Sequence, residues 1–118
     1  MTYFFSGSIT GDKKELDNII KIFSSEGEKH FPYVSYFEYE FLGDNEISCL
    51  GDCRYDLDTS LTINGIEEGN PNVISLEEVL KNNKSLVIEL DSYSDGQNES
   101  EHFEANFKDD ISSQLPHA

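Results

Sequence analysis

Lysine and arginine are scarce in this chain, 8 against 24 aspartates and glutamates over 118 residues, and the formal net charge is −16. That deficit disfavours non-specific binding to DNA, RNA or anionic lipid, because the phosphate contribution would be repulsive. No apolar run approaches the ~18 residues that mark a bilayer span. The stretch from Met1 to Thr10 also lacks the basic start of a secretory signal. Tryptophan is absent and cysteine is limited to Cys49 and Cys53. A chain of this length buries roughly two thirds of its unfolded surface, so a single domain over residues 1–118 needs no staple of disulfides or metal. The apolar share, 36%, is low, but 8 Phe and 6 Tyr supply a core with large side chains.

The charge is unevenly distributed. Residues 1–34 hold five acids and four lysines, whereas residues 35–118 hold 19 acids against Arg54, Lys81, Lys84 and Lys108. Such asymmetry resembles an electrostatic footprint for a basic partner more than a uniform solubility device.

Residues 3–9 are short and aromatic and read as a strand ending before Gly11. Asp12 and Glu15 form a capping-box pattern, followed by Leu16, Ile19, Ile20 and Phe23 at the spacing of one helical face, with Gly27 as the stop. Phe37, Tyr39 and Phe41 alternate with Glu38 and Glu40 as a half-buried strand, and Gly43-Asp44-Asn45 turns it into a returning strand from Glu46 to Tyr55. Residues 57–63 read as a continuation past a bulge or as a separate short strand. Ser75 and Glu78 make a second capping box, with Ile74 and Val79 as a staple, for a helix ending near Asn83. Ser85–Tyr93 is a strand, and in the last strand Phe103, Ala105 and Phe107 alternate with His102, Glu104 and Asn106. Residues 109–118 are polar and expected to fray. The order β-α-β-β-(β)-α-β-β predicts an α+β two-layer sandwich: a mostly antiparallel, ferredoxin-like sheet with two helices on one face and the other face open. The expected core includes Leu16, Ile19, Ile20, Phe23, Phe37, Phe41, Leu80, Ile88 and Phe107.

Familiar chemistry does not assemble. Cys49 and Cys53 share a strand face about 13 Å apart, beyond disulfide reach unless Gly51 marks a bulge, and have no neighbouring ligands for zinc. They read as free, dispensable thiols. His30, His102 and His117 have no nucleophile in a recognisable setting. The segment Asp91–Gly96 begins like a calcium loop but has Tyr93 at the third ligand position and His102 at the twelfth. Asp52, Asp56 and Asp58 would gather a divalent cation only loosely. Gly7 and Gly11 fit no phosphate-binding spacing. No metal, cofactor or catalytic residue is expected.

A recurrence of acids at i and i+2 remains: Glu38/Glu40, Asp44/Glu46, Asp56/Asp58, Glu89/Asp91 and Glu99/Glu101. On strands each pair faces one way with roughly 6.6 Å between neighbours. Rows of carboxylates at that spacing are suited to a cationic groove made for phosphates, and these ten residues are the expected partner-binding set.

The Tyr3–Gly11 strand, the Leu16/Ile19/Ile20/Phe23 helix and the Leu76–Asn83 helix running into Leu86-Val87-Ile88-Glu89 resemble small ferredoxin-like proteins of phages and plasmids. Acidic members of that repertoire are similar to anti-CRISPR or anti-restriction proteins. The resemblance implies a non-enzymatic inhibitor in the bacterial cytoplasm, binding a basic protein or nucleoprotein complex rather than nucleic acid or membrane. An immunity protein against a cationic nuclease toxin is the alternative expectation, and a small enzyme or metal-binding module ranks last.

Overall fold

The computed structural model describes residues 2–24, 29–62, 69–94, 100–108 and 110–114, the last of these as backbone. Among the described residues nine elements follow one another: β1 (Tyr3–Thr10), α1 (Lys13–Phe23), β2 (Val34–Phe41), β3 (Glu46–Cys53), α2 (Leu57–Thr62), α3 (Leu76–Asn82), β4 (Val87–Ser94), β5 (Ser100–Asn106) and β6 (Asp110–Gln114). The strands form one sheet in the order β2-β3-β1-β4-β5-β6, with every neighbouring pair antiparallel. The first four strands and their two helical crossovers give the expected split βαβ arrangement. The β5–β6 meander extends it beyond β4.

Helix α1 forms where the periodicity predicts, and Leu16, Ile19, Ile20 and Phe23 are its buried face. Its start is built differently from a capping box. The Asp12 side chain makes no cap hydrogen bond. Instead the Asp12 N–H donates to Ser85 Oγ at 2.8 Å, and that hydroxyl donates to Glu15 Oε1 at 2.6 Å. The Ser85 N–H also reaches Glu15, at 2.9 Å. Ser85 is thus inserted between the two residues of the box and ties the helix to the chain entering β4. At α3 the second box holds in its first half, with the Glu78 N–H donating to Ser75 Oγ at 3.3 Å.

Residues 57–62 are a helix, not a strand. Leu57 and Leu61 stand four apart, a spacing that serves a strand face and a helix face equally, and both are fully buried in α2. The helix wins because its first N–H groups find a buried acceptor, described below. The tail also departs from expectation: the backbone of Asp110–Gln114 pairs with β5, from Asn106↔Asp110 to His102↔Gln114. An edge strand needs backbone partners but no apolar alternation, so the sequence pattern carries little sign of it.

The helices cover one face of the sheet. Phe5 and Ile9 of β1, Ile47 of β3, Ile88 and Leu90 of β4, and Phe103 and Ala105 of β5 join the helical stripes and Phe31 in a single core. Phe23 stacks on Phe37 at 4.5 Å and meets Phe31 edge-on at 5.0 Å. Gly51 makes room for this cluster. It pairs with Phe5 on one side and Phe37 on the other, and a Cβ there would stand 2.6 Å from the Phe5 ring and 2.2 Å from the Tyr36 carbonyl oxygen. The register shift nearby lies in β2, between Val34 and Tyr36, rather than at Gly51. Phe37 and Phe41 are half-buried against the core. Phe107 is not part of it: the strand ends at Asn106, and Phe107 lies exposed in the following turn beneath Lys84 Nζ, 5.0 Å from its ring. Among the described residues, no helix is long and apolar enough to cross a membrane.

Candidate partner-binding face

Among the described residues no helix lies over the opposite face of the sheet, and strand alternation decides what it displays. On β2 the outward residues are Tyr36, Glu38 and Glu40, and on β4 they are Val87, Glu89, Asp91 and Tyr93. The pairing registers align these two strands across the intervening β3 and β1. Tyr36, Asp52, Phe4 and Tyr93 form one transverse row. Glu38, Leu50, Ser6 and Asp91 form the next, and Glu40, Ser48, Ser8 and Glu89 the third. Two columns, each reading tyrosine, acid, acid in the same direction, therefore flank a floor rich in serine. Three strand spacings separate them, roughly 14 Å. Glu46 continues the face at the start of β3, opposite Thr10. None of the six described strands contains a lysine or arginine, and the exposed Arg54 directly follows β3. Lys13, Lys14 and Lys21 belong to α1, and Lys81 to α3, in the other layer.

At the β5 side, His102 lies between two acids of the same face. Its Nδ1 is 2.7 Å from Asp91 Oδ1 and its Nε2 2.9 Å from Glu104 Oε1. Hydrogen bonding to Glu104, then to Asp91, holds the imidazole up at about 9, so it is cationic at neutral pH and donates to both carboxylates. The free negative potential is thereby weighted toward β2, β3 and Glu89. Tyr36 is held above the ordinary phenol value, chiefly by its hydrogen bond to Glu38, with the Asp52 charge adding to this.

Four of the ten expected partner-binding residues, Glu38, Glu40, Glu89 and Asp91, come together on this face, and Glu46 lies at its margin. Asp44 is exposed in the β2–β3 turn, which is fastened to Gly11 by the Gly11 N–H to Asn45 carbonyl bond at 3.0 Å. Asp56 and Asp58 are not a strand pair: Asp56 precedes α2, with its carbonyl accepting from the Ser60 N–H, and Asp58 is in the first turn. Glu99 lies outside the described residues, as do Gly27 and His117.

Glu101 points into the core, only 3% exposed. Its Oε1 accepts from the Leu57 N–H at 2.9 Å and from Ser92 Oγ at 3.4 Å, and its Oε2 accepts from the Asp58 N–H at 3.3 Å. It caps α2 from across the fold and is a structural carboxylate, not an interface residue. The alternation already contains this signal, since Glu101 has the parity of Phe103 and Ala105. Parity likewise brings Asp52, Glu104, Tyr36, Phe4, Leu50 and Tyr93 to the open face, and none of them belongs to an i, i+2 pair of acids.

Cys49 and Cys53 are free, buried thiols, each pushed by burial up to about 12, which keeps them protonated and poorly nucleophilic. His30 serves through its backbone, its carbonyl accepting from the Ile74 N–H at 3.2 Å. Among the described residues, no group of three or more His, Cys, Asp or Glu is placed to hold a metal ion. Compared with family models, curated proteins and solved structures, the chain matches none.

Proposed function

We propose that this protein is a non-enzymatic inhibitor, of the anti-CRISPR or anti-restriction type, made by a phage or mobile element and acting in the bacterial cytoplasm. It binds a nucleic-acid-handling defence effector through the open acidic face and blocks access of DNA or guide RNA. The observation that supports this most is the pair of in-register carboxylate columns on a sheet whose described strands contain no lysine or arginine. A surface that merely stays soluble intersperses both signs. Nucleic acid presents charges about 3.4 Å apart along each strand, and carboxylates repeating at roughly twice that interval along β2 and β4 can engage a groove lined for phosphates. The protonated thiols and cationic His102 leave these groups poor candidates for nucleophile or base, in keeping with binding rather than turnover.

The test is competition. The protein is used to capture its partner from a bacterial lysate at low salt, and the captured effector is then challenged with duplex DNA or guide RNA. Displacement of the protein by nucleic acid, together with loss of effector activity when the protein is bound, is the expected result. A ternary complex in which DNA and the protein bind together without interference would overturn the reading. Capture of a nuclease toxin domain would move the same masking chemistry to the immunity-protein setting.

A further inference from the structure

The acidic columns differ from a plain anionic surface in their third member, because each ends in an exposed tyrosine. Tyr36 is 47% and Tyr93 59% exposed, and both stand two residues from an acid on the same face. Phe4 extends the aromatic surface under Tyr93, ring centroids 5.4 Å apart. Three other aromatic rings are covered by the chain's own cations, Lys13 over Phe41, Arg54 over Tyr55 and Lys84 over Phe107, at 5.4, 5.5 and 5.0 Å. No described lysine or arginine covers Tyr36 or Tyr93.

From these observations we infer that the open face is selective for arginine over lysine, and that its partner segment is an arginine-bearing stretch of protein. This deepens the reading proposed above and rests on it. The chemistry follows from the side chains. A guanidinium is planar, stacks on an aromatic face and pairs bidentately with a carboxylate, whereas an ammonium is a compact, strongly hydrated point charge. Tyrosine beside acid at strand spacing offers both contacts to one guanidinium, with its plane on the ring and its edge toward Glu38 or Asp91. The two columns offer this twice, roughly 14 Å apart. Asp91 is already engaged by the His102 imidazolium, whereas among the described residues Glu38 meets only the neutral Tyr36 phenol and keeps its charge uncompensated, so the Tyr36/Glu38 column is the stronger of the two.

The experiment is a titration of the full chain with two peptides of equal length and charge, one arginine-based and one lysine-based, at low salt. The parent should bind the arginine peptide about tenfold more tightly. Tyr36→Ser combined with Tyr93→Ser should keep the affinity for the lysine peptide and reduce the preference to less than about twofold. Tyr36→Phe with Tyr93→Phe, which keeps both rings, should restore it. Equal affinity of the parent for both peptides overturns the inference and leaves the acidic-face reading standing. An arginine preference that survives loss of both rings also overturns it, because the preference then resides elsewhere. Binding of neither peptide overturns the acidic-face reading and the inference together.

Discussion

At the scale of single residues, two ionisable groups carry separate and measurable consequences. His102 gains two carboxylate partners on folding, so its folded value, about 9, lies above the ordinary imidazole value of 6.5. A group whose folded value is raised stabilises the native state fully below its unfolded value. That contribution should fade as pH climbs from 6.5 through about 9. Imidazole resonances followed by NMR should titrate near that upper value in the parent and shift toward the ordinary value in Asp91→Asn with Glu104→Gln. Glu101 is the second group. Replacing it with alanine leaves the Leu57 and Asp58 N–H groups without this acceptor, which should cost about 2–3 kcal/mol in denaturant unfolding. Well below the unfolding midpoint, partner binding should be unchanged, in contrast to any substitution at Glu38. The roles of these two residues were legible to different extents. Parity alone turns Glu101 inward, but its particular partners depend on a helix more than forty positions away, which local spacing cannot reveal.

At the scale of elements, α1 is the part most fully written in the sequence, since its stripe at i, i+3, i+4 and i+7 is the stripe that is buried. Phe23 anchors that stripe among Phe5, Phe31 and Phe37. Phe23→Ala should therefore cost about 3–5 kcal/mol, read as a shift of the denaturation midpoint. A cost below about 1 kcal/mol would mean that the aromatic cluster repacks without it. Three elements were less legible. The spacing of Leu57 and Leu61 suits helix and strand alike, and only the Glu101 acceptor decides between them. Strand β6 is polar and held by backbone pairing, so alternation has little to say about it. The cap of α1 draws in Ser85, 73 positions from Asp12, so a local capping box could name Asp12 and Glu15 but not the hydroxyl that joins them.

At the scale of the whole molecule, the central feature is a difference in charge between layers. The helices mix Lys13, Lys14, Lys21 and Lys81 with Glu15, Asp17, Asp58, Glu77 and Glu78, whereas the described strands carry carboxylates and no lysine or arginine. The sequence shows acid pairs on strands. It cannot show that Glu38 and Glu40 lie level with Asp91 and Glu89, because that depends on β3 and β1 being inserted between β2 and β4. Asp56/Asp58 drops out of the face because residues 57–62 fold as α2, whereas Asp52 enters it through the parity of β3. The most useful charge reversals therefore lie on β2 and β4. Surface charges of this kind contribute little to stability, so Glu38→Lys with Glu40→Lys should fold normally and serve as a clean probe of association.

The most direct measurement is a binding titration against the captured effector at about 50 and about 200 mM salt. It compares the parent, Glu38→Lys with Glu40→Lys, Glu89→Lys, and Asp17→Asn on α1. Parent affinity should fall steeply between the two salt concentrations. Both sets of reversals should bind at least about tenfold more weakly at the lower salt, with slower association and a smaller deficit at the higher. Asp17→Asn, on the opposite layer beside Lys13, should match the parent. Parent-like binding by both reversals would contradict the account and show that the acidic face does not meet the partner.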